Sequence, residues 1–166
     1  MRHLAAFPIL ALAVILQSAI ISRISLLSGY ADLILIMIIS WSLQEGVTTA
    51  WHWAVLAGLM TAIITGLPWG VPLLGYLSAV LLAKTFQKRI WQAPLITVFT
   101  VTFLASLIYY LITYITLNLM GGSLEFGETF SLVILPSMLL NLLFAIPIFW
   151  LMRDLSRWAN PIEEED

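Results

Sequence analysis

The sequence predicts an all-α fold: a polytopic membrane bundle of six transmembrane helices, with residues 1–166 forming a single integral membrane domain. Three observations carry this expectation. First, 61% of the 166 residues are hydrophobic and only 10% are charged, whereas a soluble domain is about 45–50% apolar and about 25% charged. So few charges cannot cover a surface in water, which makes lipid the solvent for most of the chain. Second, the apolar residues fall in long continuous runs, not in alternation, which favours helices over a membrane barrel. Third, the polar stretches between the runs are too short for a soluble domain or a linker.

The elements follow in order. The first run, Leu4 to Ser22, is long enough to span a bilayer. No small-x-small cleavage signature is followed by a soluble mature domain, so the run reads as a retained helix. The second run, Tyr30 to Leu43, ends at the polar break Gln44-Glu45-Gly46. The third is Trp51 to Gly66. These two are short against the roughly 20 residues a span needs. They either tilt little or recruit flanking residues such as Val47 and Thr48; a re-entrant second segment is the alternative. The turn Gly66-Leu67-Pro68-Trp69-Gly70 leads into the fourth run, Val71 to Phe86, and makes the two an antiparallel hairpin. The fifth, Pro94 to Met120, is the longest and stops at Gly121-Gly122. The sixth, Phe130 to Met152, contains Pro136 and Pro147. Residues 159–166 form an acidic tail, with Glu163 to Asp166 at its end.

Basic residues set the orientation, because they accumulate on the cytoplasmic side. With Arg2 inside and six crossings, Lys84, Lys88, Arg89, Arg153 and Arg157 also fall inside, and Glu125 and Glu128 fall outside. Six of the seven basic residues then agree, with Arg23 the exception. Both termini are expected in the cytoplasm.

Two patterns on the helices stand out. Ala50, Ala54, Gly58, Ala62 and Gly66 recur every fourth residue along the third run, and Gly75, Ala79 and Ala83 do so along the fourth. Small residues at this spacing let helix backbones approach closely, which helices in lipid use in place of the hydrophobic effect. The ladder serves either packing within the chain or the docking of a partner's helix. The expectation is a division: Gly58 and Ala62 pack on the fourth run, and the Ala50/Ala54 end is open to a partner. A polar stripe also runs along the fifth run, with Thr102, Ser106, Tyr109, Thr113 and Thr116 on one helical face. It lines a cavity or bonds to helix backbones.

Isolated intramembrane polar residues are functional suspects by default. Here they are Gln17, Asp32, His52 and Asn141. Asp32 lies at the outer end of the second run, within reach of Arg23 across the loop, and His52 lies near the inner end of the third. Asn141 sits between Pro136 and Pro147, which each remove a helix hydrogen bond, and it is placed to satisfy a carbonyl so released. Asp32 and Asn141, together with Pro136 and Pro147, are read as structural. No His/carboxylate cluster for a metal, no phosphate-binding glycine loop and no nucleophile with a base at suggestive spacing is present. Cysteine is absent, which excludes disulfides and thiolate sites. No basic patch suits a nucleic acid. An enzyme is therefore not expected, and no catalytic residue, metal site or cofactor is assigned.

Tyr30-Ala31-Asp32-Leu33-Ile34-Leu35 resembles the Pro-Asp-Leu-Leu-Leu-Leu opening of the second segment in the bacterial rod shape-determining MreD family. Gly46 stands where that family often has a glycine after a short polar loop. Gly58-Leu59 through Thr65-Gly66-Leu67-Pro68-Trp69-Gly70 is similar to its Gly-Leu-x-x-Asp-x-x-x-Gly-x-x-x-Gly stretch. Asn141-Leu142-Leu143 with Pro147 and a basic end at Arg153 looks like its last helix. Two departures stand out: Ala31 replaces the proline before the aspartate, and Ala62 replaces an aspartate frequent in the third segment. The loss of that carboxylate points to packing and assembly over chemistry. The resemblance implies a non-enzymatic inner-membrane scaffold of the cell-elongation machinery. It implies an MreC-like single-pass partner and, indirectly, the peptidoglycan synthase and MreB-like filaments. It also implies a fold like the substrate-binding subunits of energy-coupling-factor transporters. A vitamin-type binding subunit is therefore the second reading, and it would need a roomy, outward-open pocket.

Overall fold

The structure, a computed structural model, describes residues 6–90 and 92–159. The expectations for Arg2 and for the tail from residue 160 onward lie outside the described residues. The chain is an all-α bundle. Helix α1, Ala6–Ala19, runs into a 3₁₀ turn at Ile21–Arg23. A minimal hairpin follows, β1 Ser25–Leu26 and β2 Gly29–Tyr30, with Ser25 opposite Tyr30 and Leu26 opposite Gly29. The second apolar run was expected to be helical from Tyr30, but α2 spans Leu33–Leu43. The difference is a cap: the Asp32 carboxylate accepts from the Leu35 N–H at 2.9 Å, which starts the helix one residue later.

Every residue of α2 is buried. A helix apolar on all sides belongs inside, and α2 is the centre of the bundle, packed by α1, by α3 (Ala50–Thr65), by α4 (Gly70–Phe86), by α5 (Pro94–Leu119) and by α7 (Leu135–Ala159). At 11 residues it is roughly 16 Å long, about half a hydrocarbon core. Its length is tolerable because protein, not lipid, surrounds it. Irregular backbone at membrane depth survives only under such cover.

Helices α3 and α4 form the expected hairpin. Gly66 ends α3 in the left-handed conformation at φ 68° and donates to the Ala62 carbonyl at 3.2 Å; Pro68 then prevents continuation. Helix α5 opens on Pro94, where a missing N–H costs nothing. The sixth run begins four residues before the expected Phe130, with α6 at Phe126–Thr129, and passes through a π-turn, Phe130–Ile134, into α7. It extends beyond Met152 because Arg153, Asp154, Leu155 and Arg157 are compatible with helix though no longer uniformly apolar.

Pro136 shapes the π-turn. It has no N–H to offer the preceding turn, which leaves the Leu132 carbonyl without its α-helical donor. Ser28 of the hairpin supplies one at 3.0 Å. Among the described residues three helical spans are long and apolar enough to cross a membrane: 6–23, 94–119 and 126–158. Large side chains such as Phe7, Ile15, Ile63, Leu74, Leu119 and Leu143 stand exposed around the perimeter, the composition of a surface that faces lipid.

Candidate functional site

The polar side chains of the interior meet around the entry to α2. Residues 30–32 are extended backbone inside an apolar bundle, so their N–H and C=O groups need partners that no helix provides. Side chains from three helices supply them. The Gln17 amide of α1 accepts from the Leu33 N–H and donates to the Ala31 carbonyl, both at 2.8 Å. Asn141 of α7 accepts from the Asp32 N–H at 2.7 Å, and its amide nitrogen donates to Ser106 of α5 at 2.9 Å. Ser137 of α7 accepts from the Tyr30 N–H at 3.0 Å, and the Tyr110 hydroxyl of α5 donates to the Tyr30 carbonyl at 3.3 Å.

The Asp32 carboxylate, besides capping α2, accepts from the Tyr76 hydroxyl of α4 at 3.3 Å. That hydroxyl also lies 3.2 Å from the Thr61 hydroxyl of α3. Tyr76 stacks on Tyr109 with centroids 5.5 Å apart. A cavity of about 220 Å³ opens beside this cluster, lined by Gln17, Asp32, Thr61, Tyr76, Tyr109 and Ser137 among others. One carboxylate, neutral amides and hydroxyls can orient and hold backbone, but they do not make an acid–base pair. Among the described residues no three His, Asp or Glu side chains gather as a metal site would need.

Several expectations change. Asp32 bonds to Tyr76 and the α2 N-terminus, not to Arg23. Asn141 does not serve a proline-released carbonyl; it bridges Asp32 and Ser106, and the Leu132 carbonyl goes to Ser28. His52 is exposed at the start of α3, apart from the cluster. The stripe on α5 divides: Ser106 and Tyr109 join the cluster, while Thr113 donates to the Tyr109 carbonyl of its own helix at 2.9 Å. Thr102 is buried, and its hydroxyl has no hydrogen-bond partner among the described residues.

The ladder faces inward along its length. Ala50 and Ala54 are fully buried and Ala62 nearly so, so the Ala50/Ala54 end is not open. A Cβ on Gly58 would sit 3.0 Å from the Leu73 Cα, the close backbone approach that glycine permits. Gly75 lies against the Tyr109 ring, and Ala79 and Ala83 are fully buried. Gly66 departs from the set: nothing lies within 4 Å of its Cβ position, and its positive φ is what requires glycine. Pro136 is buried and Pro147 exposed.

Sequence reasoning missed Tyr76, Ser137 and the Ser28-Gly29 hairpin tip. The available signal was a tyrosine amid an apolar run, whose hydroxyl needs a partner when buried.

Fold and cluster together define a helical membrane protein whose buried polar groups tie helices to one another and to an extended segment. The family model for the rod shape-determining protein MreD matches residues 1–158, and the chain belongs to that family. Its role is therefore in rod shape determination, as a structural membrane component associated with the rod-shape machinery. No curated protein and no solved structure matches the chain.

Proposed function

We propose that the protein is a non-enzymatic scaffold of the bacterial cell-elongation machinery. It sits in the cytoplasmic (inner) membrane as one domain with six crossings and cytoplasmic termini. It binds an MreC-like single-pass protein and thereby supports lateral peptidoglycan synthesis and MreB-like filaments. The observation that carries this reading is the state of the buried polar cluster. Gln17, Asp32, Tyr76, Ser106, Ser137 and Asn141 are each engaged by another group of the same chain. An enzyme leaves an acid, base or nucleophile directed at its substrate; here these side chains direct their bonds at backbone and at each other.

On this reading Ala50, Ala54, Gly58, Ala62, Gly75, Ala79 and Ala83 are helix-packing positions, and the partner's helix is received on the lipid-facing perimeter. Asp32, Asn141, Pro136 and Pro147 are structural. The vitamin-binding alternative is less well supported. The cavity at the end expected to face outward, about 220 Å³, is smaller than the roughly 300–1,000 Å³ of ligand pockets and its polar lining already has internal partners, while a larger cavity lies at the opposite end of α2, expected to face the cytoplasm.

The test is purification of the full chain from mild detergent with mass spectrometry of what accompanies it. The expected companion is a single-pass membrane protein of the elongation machinery. Recovery with ATPase-coupled transporter subunits and a retained vitamin would overturn the scaffold reading. A second check is Asp32→Asn in cells that depend on this protein for shape. Rods are expected wherever the variant accumulates; round cells with normal protein level and normal partner recovery would mean the carboxylate does chemistry.

A further inference from the structure

A second, larger cavity of about 630 Å³ lies at the opposite end of α2, among the segment after α2, the start of α5 and the last turns of α7. Its walls are apolar, including Leu43, Pro94, Phe149 and Trp150, and its polar side carries Arg153 and Arg157. We propose that this cavity binds an anionic phospholipid, with the phosphodiester held between Arg153 and Arg157 and an acyl chain along the Leu43–Phe149 wall.

The arginines point to an anion. They are four residues apart on α7, so they share a face, and both line the cavity. The Arg153 guanidinium lies 3.8 Å from the Trp150 ring centroid. Its Nε is buried and has no hydrogen-bond partner among the described residues. A buried charged donor without an acceptor calls for a missing group, and a planar guanidinium fork matches phosphate oxygens. Among the described residues neither arginine has a carboxylate partner. Glu45 also lines the cavity but is exposed. Two arginines and one glutamate leave a net single positive charge, which suits one phosphodiester.

The walls and the position point to a lipid. A free phosphate has no use for Leu43, Pro94 and Phe149. The α4 end with its basic residues is tied to this region: Lys84 Nζ donates to the Val47 carbonyl at 2.6 Å, and the Gln87 amide to the Gln44 carbonyl at 2.6 Å. Lys84, Lys88, Arg89, Arg153 and Arg157 therefore gather at one end of the bundle. That is the end expected to face the cytoplasmic leaflet, where anionic lipids and basic inter-helix pockets meet.

The experiment titrates the detergent-purified full chain with dioctanoyl-phosphatidylglycerol, dioctanoyl-phosphatidylcholine and inorganic phosphate, reading melting temperature and tryptophan fluorescence. Phosphatidylglycerol is expected to raise the melting temperature saturably, with the other two at least about tenfold weaker. Arg153→Gln with Arg157→Gln should remove the response, Arg153→Lys should keep it at reduced affinity, and Arg23→Gln at the far end should leave it unchanged. If the double variant does not fold, Arg157→Gln alone carries the test, since Arg157 is exposed; about tenfold weaker binding is expected. Equal responses to phosphatidylglycerol and phosphatidylcholine, or an equal response to inorganic phosphate, would overturn the proposal. So would a folded arginine variant that responds as the parent does. The chain's own acidic end is a competing occupant. If neutralising Glu163, Glu164, Glu165 and Asp166 to their amides lowers the melting temperature while phosphatidylglycerol has no effect, the tail fills the cavity and the lipid does not.

Discussion

Asn141 shows how one side chain can hold three elements. Its oxygen serves the backbone at Asp32 and its nitrogen serves Ser106, so α7, α5 and the entry to α2 share one amide. Asn141→Ala would leave a backbone donor and a hydroxyl unpaired in the interior, a loss of about 1–3 kcal/mol. A lower melting temperature of the purified protein in detergent, with unchanged oligomeric state, is the expected outcome. Two glycines separate two reasons for the residue. At Gly29 a Cβ would lie 2.6 Å from the Ser137 nitrogen and 2.8 Å from the Val133 carbonyl oxygen, so Gly29→Ala must push the hairpin off α7. At Gly66 there is open space but a φ of 68°. Gly66→Ala is therefore expected to cost about 1–2 kcal/mol of backbone strain, and Gly66→Asn less, because asparagine tolerates this conformation. Thermal unfolding of the three variants side by side checks the order.

Among the elements, the hairpin of α3 and α4 is held by close backbone approach at Gly58 and Leu73. Gly58→Leu forces a side chain into that contact, and overpacking of this kind costs about 1–3 kcal/mol. Because Ala54 is fully buried as well, Ala54→Leu should act the same way: both variants lower the melting temperature of the isolated protein. Ile63, exposed on the same helix, is the control, and Ile63→Leu should change nothing. Stable Gly58→Leu protein that has lost only its partner would instead make the ladder a docking surface. The last helix has a different logic. Its π-turn and Pro136 release a carbonyl that the Ser25–Tyr30 hairpin uses, so a local helix defect becomes the attachment point for a loop.

For the whole molecule, charge is divided between the two ends. The hairpin packs on the π-turn, which places Arg23 with Glu125 and Glu128 at one end, while Arg153 and Arg157 line the larger cavity and Lys84, tied to the Val47 carbonyl, lies at that same end with Lys88 and Arg89. This division fits the orientation with cytoplasmic termini. Reporter fusions at Gly122 and Asn160 are expected to read periplasmic and cytoplasmic, respectively. A cytoplasmic Gly122 or a periplasmic Asn160 would remove the six-crossing arrangement.

Composition and run length were enough to establish an all-α membrane bundle, its turn at Gly66-Leu67-Pro68 and the start of α5 at Pro94. These depend on local chemistry: transfer of apolar side chains from water, and the dihedral limits of glycine and proline. The four-residue repeat also marked a packing face, since the spacing itself puts the small residues together. What the face packs against was not local information. Neither was the choice of Tyr76 and Ser137 as partners for residues 30–32, nor the meeting of Leu43, Pro94 and Arg153 around one cavity. Those contacts join residues that are distant in sequence, and in a chain where almost every helix is apolar, hydrophobicity does not rank the alternative pairings. Tertiary structure decides them, because an extended backbone segment buried away from water must find its hydrogen bonds wherever the bundle brings a donor or acceptor.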